Sequence, residues 1–149
     1  MRRISLLAIL VGAAVSYVAP AILAMLIGMA VGIFMTYGSH AAPALAMQQI
    51  IWNPYYYYGI LAIQLLFGFL GGYLAGVTAR HDEVLNGLLS SLTVVLITAS
   101  FHALDPHPVA IHILKNAGFV VASTLGGYLR ALEVHRKALR ANPARLPHN

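Results

Sequence analysis

The side chains best suited to chemistry in this sequence are four imidazoles and one carboxylate: His40, His102, Asp105, His107 and His112. Imidazole nitrogen and carboxylate oxygen ligate zinc, copper or nickel, and three converging ligands suffice for a labile site. These five residues therefore form the candidate metal set. Their spacing matches no established zinc motif, and Pro106 and Pro108 restrict where His107 can point. Histidine also rests comfortably at a membrane interface with no metal, its ring half apolar and its tip wet.

Other reactive constellations cannot be assembled. There is no cysteine, which removes disulfides, thiolate metal sites and thiol redox chemistry. No serine–histidine–acid set and no pair of carboxylates facing a pocket can be placed, and the Gly-Gly-Tyr segments lack the strand–turn–helix setting of a dinucleotide site. The expectation is a protein that is not an enzyme and carries no cofactor. Gln64, Ser90, Ser91, Thr93 and Thr98 interrupt apolar segments. Hydrogen bonds between helices in lipid average only about 0.6 kcal/mol, so these residues read as packing groups.

The segments that carry these residues are built for lipid. Of 149 residues, 60% are hydrophobic and 9% charged, against about 25% charged in an ordinary soluble domain. Mean hydropathy is +0.78. No Asp, Glu, Lys or Arg occurs from Ile4 through Ala79. At mid-bilayer each such charge costs roughly 2.5–3.5 kcal/mol on insertion scales, so the run is expected there and nowhere else. The fold class implied is all-α: a polytopic membrane protein with four transmembrane helices arranged as two repeated hairpins.

The four-helix domain is expected over residues 1–135, with spans of about 4–37, 55–79, 84–104 and 109–132, followed by a basic tail at 136–149. The apolar run after Arg2-Arg3 continues well past the length of a cleaved signal core, so it reads as an uncleaved first span. As a single helix that run would measure about 51 Å, longer than a hydrocarbon core of about 30 Å. It must tilt, kink near Pro20, or project. Ala44 to Trp52 could form a short helix on the membrane surface. Trp52 and Tyr55 to Tyr58 suit the interface, and Asp105-Pro106 suits a helix N-terminus.

Basic residues set the orientation. With four spans, Arg2, Arg3, Arg80, Arg130, Arg136, Lys137, Arg140 and Arg145 share one side, and Lys115 lies near the other. The positive-inside rule then places both termini in the cytoplasm of a bacterial inner membrane. The net charge of +5 thus reports topology, and the expected partners are the bilayer and anionic lipids at its cytoplasmic face, with no nucleic acid. Glu133 is expected to pair with Arg136 or Lys137 across one turn. No ionisable group is expected at mid-membrane depth, since Asp82 and Glu83 fall in a short turn and Asp105 in a loop.

Leu70-Gly71-Gly72-Tyr73-Leu74 recurs 55 residues later as Leu125-Gly126-Gly127-Tyr128-Leu129. Gly68, Gly72 and Gly76 correspond to Ser123, Gly127 and Ala131, and spacing of four puts each trio on one helix stripe where backbones approach closely. These six are the candidate packing residues, and the stripes also offer a surface for a homo-oligomer or another membrane protein. Together with Arg3 to Gly12, Gly71 to Gly76, His81 to Gly87 and Leu125 to Arg130, the pattern resembles a group of small, uncharacterised bacterial four-span inner-membrane proteins. That resemblance implies a fold and no activity. The leading expectation is a structural or accessory membrane protein; the alternatives are a small transporter or channel, and metal handling through the outer histidines.

Overall fold

A computed structural model of the chain describes residues 4–39, 53–79, 81–100 and 109–141. Helix α1 spans Leu6–Ser39, α2 Pro54–Ala79, α3 Glu83–Ser100 and α4 Val109–Ala141. All four are long and apolar enough to cross a membrane, and among the described residues there is no strand. The all-α four-helix architecture is as the sequence implies.

Side chains cap the helix starts where the chain supplies oxygen acceptors. Ser5 Oγ accepts the Ala8 amide at 3.3 Å, and Asn53 Oδ1 accepts the amides of Tyr55 and Tyr56 at 2.9 and 3.4 Å. Pro54 follows at the first helical position, where its missing N–H costs nothing. Between α2 and α3 the chain reverses at Asp82, which adopts a left-handed φ of 48°, a conformation aspartate tolerates better than most residues.

Two boundaries are informative. α1 is one uninterrupted helix that carries Pro20 inside it, so the first apolar run is neither split nor ended by proline. α4 continues from its span through Leu132 to Ala141 without a break, so residues 136–141 of the basic tail are a helical extension of the last span. Ala44 to Trp52 and the Asp105-Pro106 cap lie outside the described residues.

Around the bundle the order is α1, α2, α4, α3; α2 also packs against α3, and α1 and α4 make no close approach. The two hairpins therefore lie side by side. What fills the inside is small and polar. Ser90, Ser91, Ser123 and Asn86 are fully buried together with Ala8 and Ala75, while Leu96 and Leu114 are 71% and 75% exposed. Large apolar side chains face outward over α1 to α4. Such a surface would be untenable in water, and it is the surface hydrocarbon solvates.

Candidate functional site

Two regions differ sharply in how closely the helices approach. At the end holding Leu6, Ala79 and Glu83 the backbones nearly touch. A methyl group on Gly72 would overlap the Ser123 carbonyl, and one on Gly126 the Phe69 carbonyl. One on Gly12 would lie 2.8 Å from the Cβ atoms of both Ala75 and Ser90. Serine hydroxyls lock this half: Ser90 Oγ and Ser123 Oγ both donate to the Gly87 carbonyl, at 2.8 and 2.9 Å. Ser16 Oγ donates to the Phe67 carbonyl at 3.4 Å, tying α1 to α2.

Of the six candidate packing residues, Gly68, Gly72, Gly76, Ser123 and Gly127 are buried, and Ala131 is half-buried. Gly68 faces the Phe119 ring and Gly127 faces the Glu83 backbone. Equivalent glycines of the repeated segment serve different neighbours. Gly71 meets Ser16 of α1, whereas its counterpart Gly126 meets Phe69 of α2. The glycines of the stripes thus meet neighbours within the one bundle.

Beyond this seam the helices part. Ala13, Val94 and Phe119 form an apolar floor against which Tyr17, Leu65 and Val95 pack. Next to it lies a cavity of about 230 Å³ lined from all four helices, with Tyr17 and Pro20 on α1, Gln64 on α2, Thr98 on α3, and Lys115 and Asn116 on α4. Pro20 contributes twice. Lacking an N–H, it leaves the carbonyl of Ser16 without its helical donor, and Ser16 lines the same cavity.

The cavity lies at one level along the four apolar helices. Pro20 is 14 residues beyond Leu6 and Thr98 is 15 beyond Glu83, while Gln64 is 15 before Ala79 and Lys115 is 15 before Arg130. At about 1.5 Å per residue all four reach a common level, roughly 21–23 Å from that end, a distance shorter than a hydrocarbon layer of about 30 Å. Lys115, expected on the side opposite the other basic residues, lines this cavity. Thr98 spends its hydroxyl on the Val95 carbonyl at 3.1 Å. The side chains of Tyr17, Gln64, Lys115 and Asn116 form no hydrogen bond with the described residues.

The histidine set fares differently. His40, His102, Asp105 and His107 lie outside the described residues; His112 is half-buried on α4. Among the described residues no group of three His, Asp or Glu could hold a metal ion. Gln64 and Thr98 were legible as polar interruptions, and both line the cavity. Tyr17 and Asn116 were missed, although the adjacent polar pair Lys115-Asn116 inside an apolar helix was a readable signal.

A third cluster closes the opposite end. Tyr73 donates to Glu133 Oε2 at 2.8 Å, and Arg130 Nη1 reaches the same oxygen at 3.2 Å. The close ion pair of Glu133 is thus with Arg130, one turn back, which projects over Gly76 into the α2–α4 contact; of the two expected partners, Lys137 adds a longer-range attraction to the carboxylate. Comparison with protein-family models, with curated proteins and with solved structures found no match to this chain.

Proposed function

We propose that the chain is a non-enzymatic, accessory multi-pass protein of a bacterial inner membrane with both ends in the cytoplasm. The observation that supports this most is the inverted distribution of side-chain chemistry. Serine, asparagine and glycine fill the tight half of the bundle while Leu, Ile, Met and Phe cover its outside. In hydrocarbon, association comes from close backbone packing and internal hydrogen bonds, and both are concentrated here. The orientation rests on the basic residues, of which Arg130, Arg136, Lys137 and Arg140 follow one another along the end of α4. Anionic lipids beside that helical extension would add about 1 kcal/mol per basic residue.

Fusions of green fluorescent protein and alkaline phosphatase test it. A fluorescent, phosphatase-inactive C-terminus and an active phosphatase between α1 and α2 are expected. An active phosphatase at the C-terminus overturns the orientation, and a chain recovered soluble without detergent overturns the membrane reading.

One observation favours a second reading, a small transporter: the cavity at depth. Substrate-dependent flux in proteoliposomes, lost in Gln64→Leu, is its test, and absence of flux across a broad panel of substrates counts against it.

A further inference from the structure

The cavity carries more than a transport reading, because the sign of its charge and the chemistry of its walls select a ligand class. We infer that it binds the anionic headgroup, carboxylate or phosphate, of a small amphiphile, with Lys115 as the counter-ion. The inference does not rest on transport or on an accessory role; a fixed binding site would satisfy it.

Charge comes first. Lys115 lines the cavity, and the described acidic residues Asp82, Glu83 and Glu133 all lie at the other end of the bundle. Glu133, on the same helix, is 18 residues away, about 27 Å along the axis. A lysine within a span normally reaches the interface, pairs with a carboxylate, or faces a ligand or ion path. Here it lines a cavity, with no carboxylate near it among the described residues, Asp105 of the preceding segment lying outside them. An ammonium in that setting has its lowest free energy with an anion beside it.

Hydrogen-bond donors come second. Gln64, Asn116 and Tyr17 supply amide and hydroxyl protons from three helices around the same space, and none is used within the described residues. One cation and several neutral donors suit an oxyanion, whose lone pairs outnumber what a single ammonium can satisfy. The carbonyl freed by Pro20 can accept from a hydroxyl of the same ligand. Shape comes third. Phe119, Val94, Leu61 and Leu65 give the cavity an apolar side, so the ligand needs an apolar portion. About 230 Å³ is smaller than the roughly 300–1,000 Å³ of drug-sized sites, which fits a headgroup with a short apolar stem.

The test uses the full chain in dodecyl maltoside and titration calorimetry. The probes are hexanoate and hexyl phosphate, with 1-hexanol as the neutral counterpart. Saturable binding of at least one anion is expected, with hexanol at least tenfold weaker. Lys115→Met should weaken anion binding at least tenfold, Lys115→Arg by less than threefold, and Gln64→Leu by three- to tenfold. A second arm asks where the anion comes from. Competition by acetate or inorganic phosphate assigns a soluble anion, whereas retention of phosphatidic acid over phosphatidylcholine, seen by native mass spectrometry from nanodiscs, assigns a membrane lipid. Equal affinity for hexanoate and hexanol in the wild type, no saturable anion in either arm, or unchanged binding in Lys115→Met would overturn the inference. The wild-type comparison stands even if a variant fails to fold.

Discussion

Asn86 Oδ1 accepts the backbone N–H of Ser5 at 3.0 Å, across 81 residues of sequence. The Asn86 Nδ2 group donates to the carbonyls of His81 and Asp82, both at 3.1 Å. One fully buried side chain thus fixes the first turn of α1 to the turn that starts α3. Replacing Asn86 with Leu would leave the Ser5 amide and the His81 carbonyl without this partner, while the Asp82 carbonyl keeps the Asn86 backbone N–H at 3.0 Å. A polar group left unpaired costs about 1–3 kcal/mol when buried and less where water reaches it, as at the exposed His81. We expect Asn86→Leu to lose about 1–3 kcal/mol on that scale, measured by denaturation in mixed micelles. Asn86→Asp, which keeps the acceptor for Ser5, should lose less. Equal losses would show that the bridge to α1 contributes nothing.

The seam makes a second prediction. Gly72→Ala and Gly126→Ala force a methyl group into the Ser123 and Phe69 carbonyls, whereas a methyl on Gly59 meets nothing within 4 Å. Overpacking of this kind costs typically about 1–3 kcal/mol. Gly59→Ala should be neutral or stabilising by up to about 1 kcal/mol, since alanine favours helix. Similar melting temperatures for all three would show that α2 and α4 are not packed through this contact.

Serine sharing makes a third. Because Ser90 and Ser123 donate to the same Gly87 carbonyl, either can cover for the other. Ser90→Ala or Ser123→Ala alone should cost about 0.6 kcal/mol, the average for such bonds in lipid. The double variant should cost more than the two losses added together, and simple additivity would refute the sharing.

How much of this was legible follows from what each signal measures. Hydropathy reports solvent, so Ile4 to Ala79 announced spans before any contact was known, and the repeated Gly-Gly-Tyr announced close approach. Neither reports direction around a helix axis. Gly71 and Gly72 look alike in sequence, yet one faces α1 and the other α4. The cavity was illegible for the same reason. Tyr17, Gln64, Thr98 and Lys115 are far apart in the chain, and only the common level of four antiparallel helices brings them together. Arg130 was not legible as the nearest partner of Glu133 because charge pairs one turn ahead and one turn behind are equally good on a lone helix; the packing of α2 on α4, where Tyr73 holds the carboxylate, brings Arg130 closest.

That three-way contact makes a fourth prediction. Tyr73 joins α2 to α4 through a carboxylate that is only part-exposed, at 38%. A double-mutant cycle with Tyr73→Phe and Glu133→Gln should return a coupling of about 0.5–1.5 kcal/mol. Arg130→Gln in place of Tyr73→Phe should couple less, since that ion pair lies within one helix and exposed pairs contribute about 0–1 kcal/mol. A larger Arg130 coupling would make the cluster a local helix feature and leave α2 out of it.

The final prediction concerns Lys115 in the absence of ligand. A lysine held for binding is unfavourable until its partner arrives, and Lys115 lines a cavity whose floor is Phe119 and Val94. Removing the charge while keeping the stem should relieve that cost, and sites tuned for function commonly return about 0.5–2 kcal/mol when so changed. Lys115→Met should therefore melt higher than wild type in anion-free dodecyl maltoside. Adding hexanoate should raise the wild type and leave the variant where it was, because only a ligand that binds the folded state shifts its melting. If Lys115→Met instead melted as low as Phe119→Ala, the lysine would be a structural strut of α4 with no anion to hold.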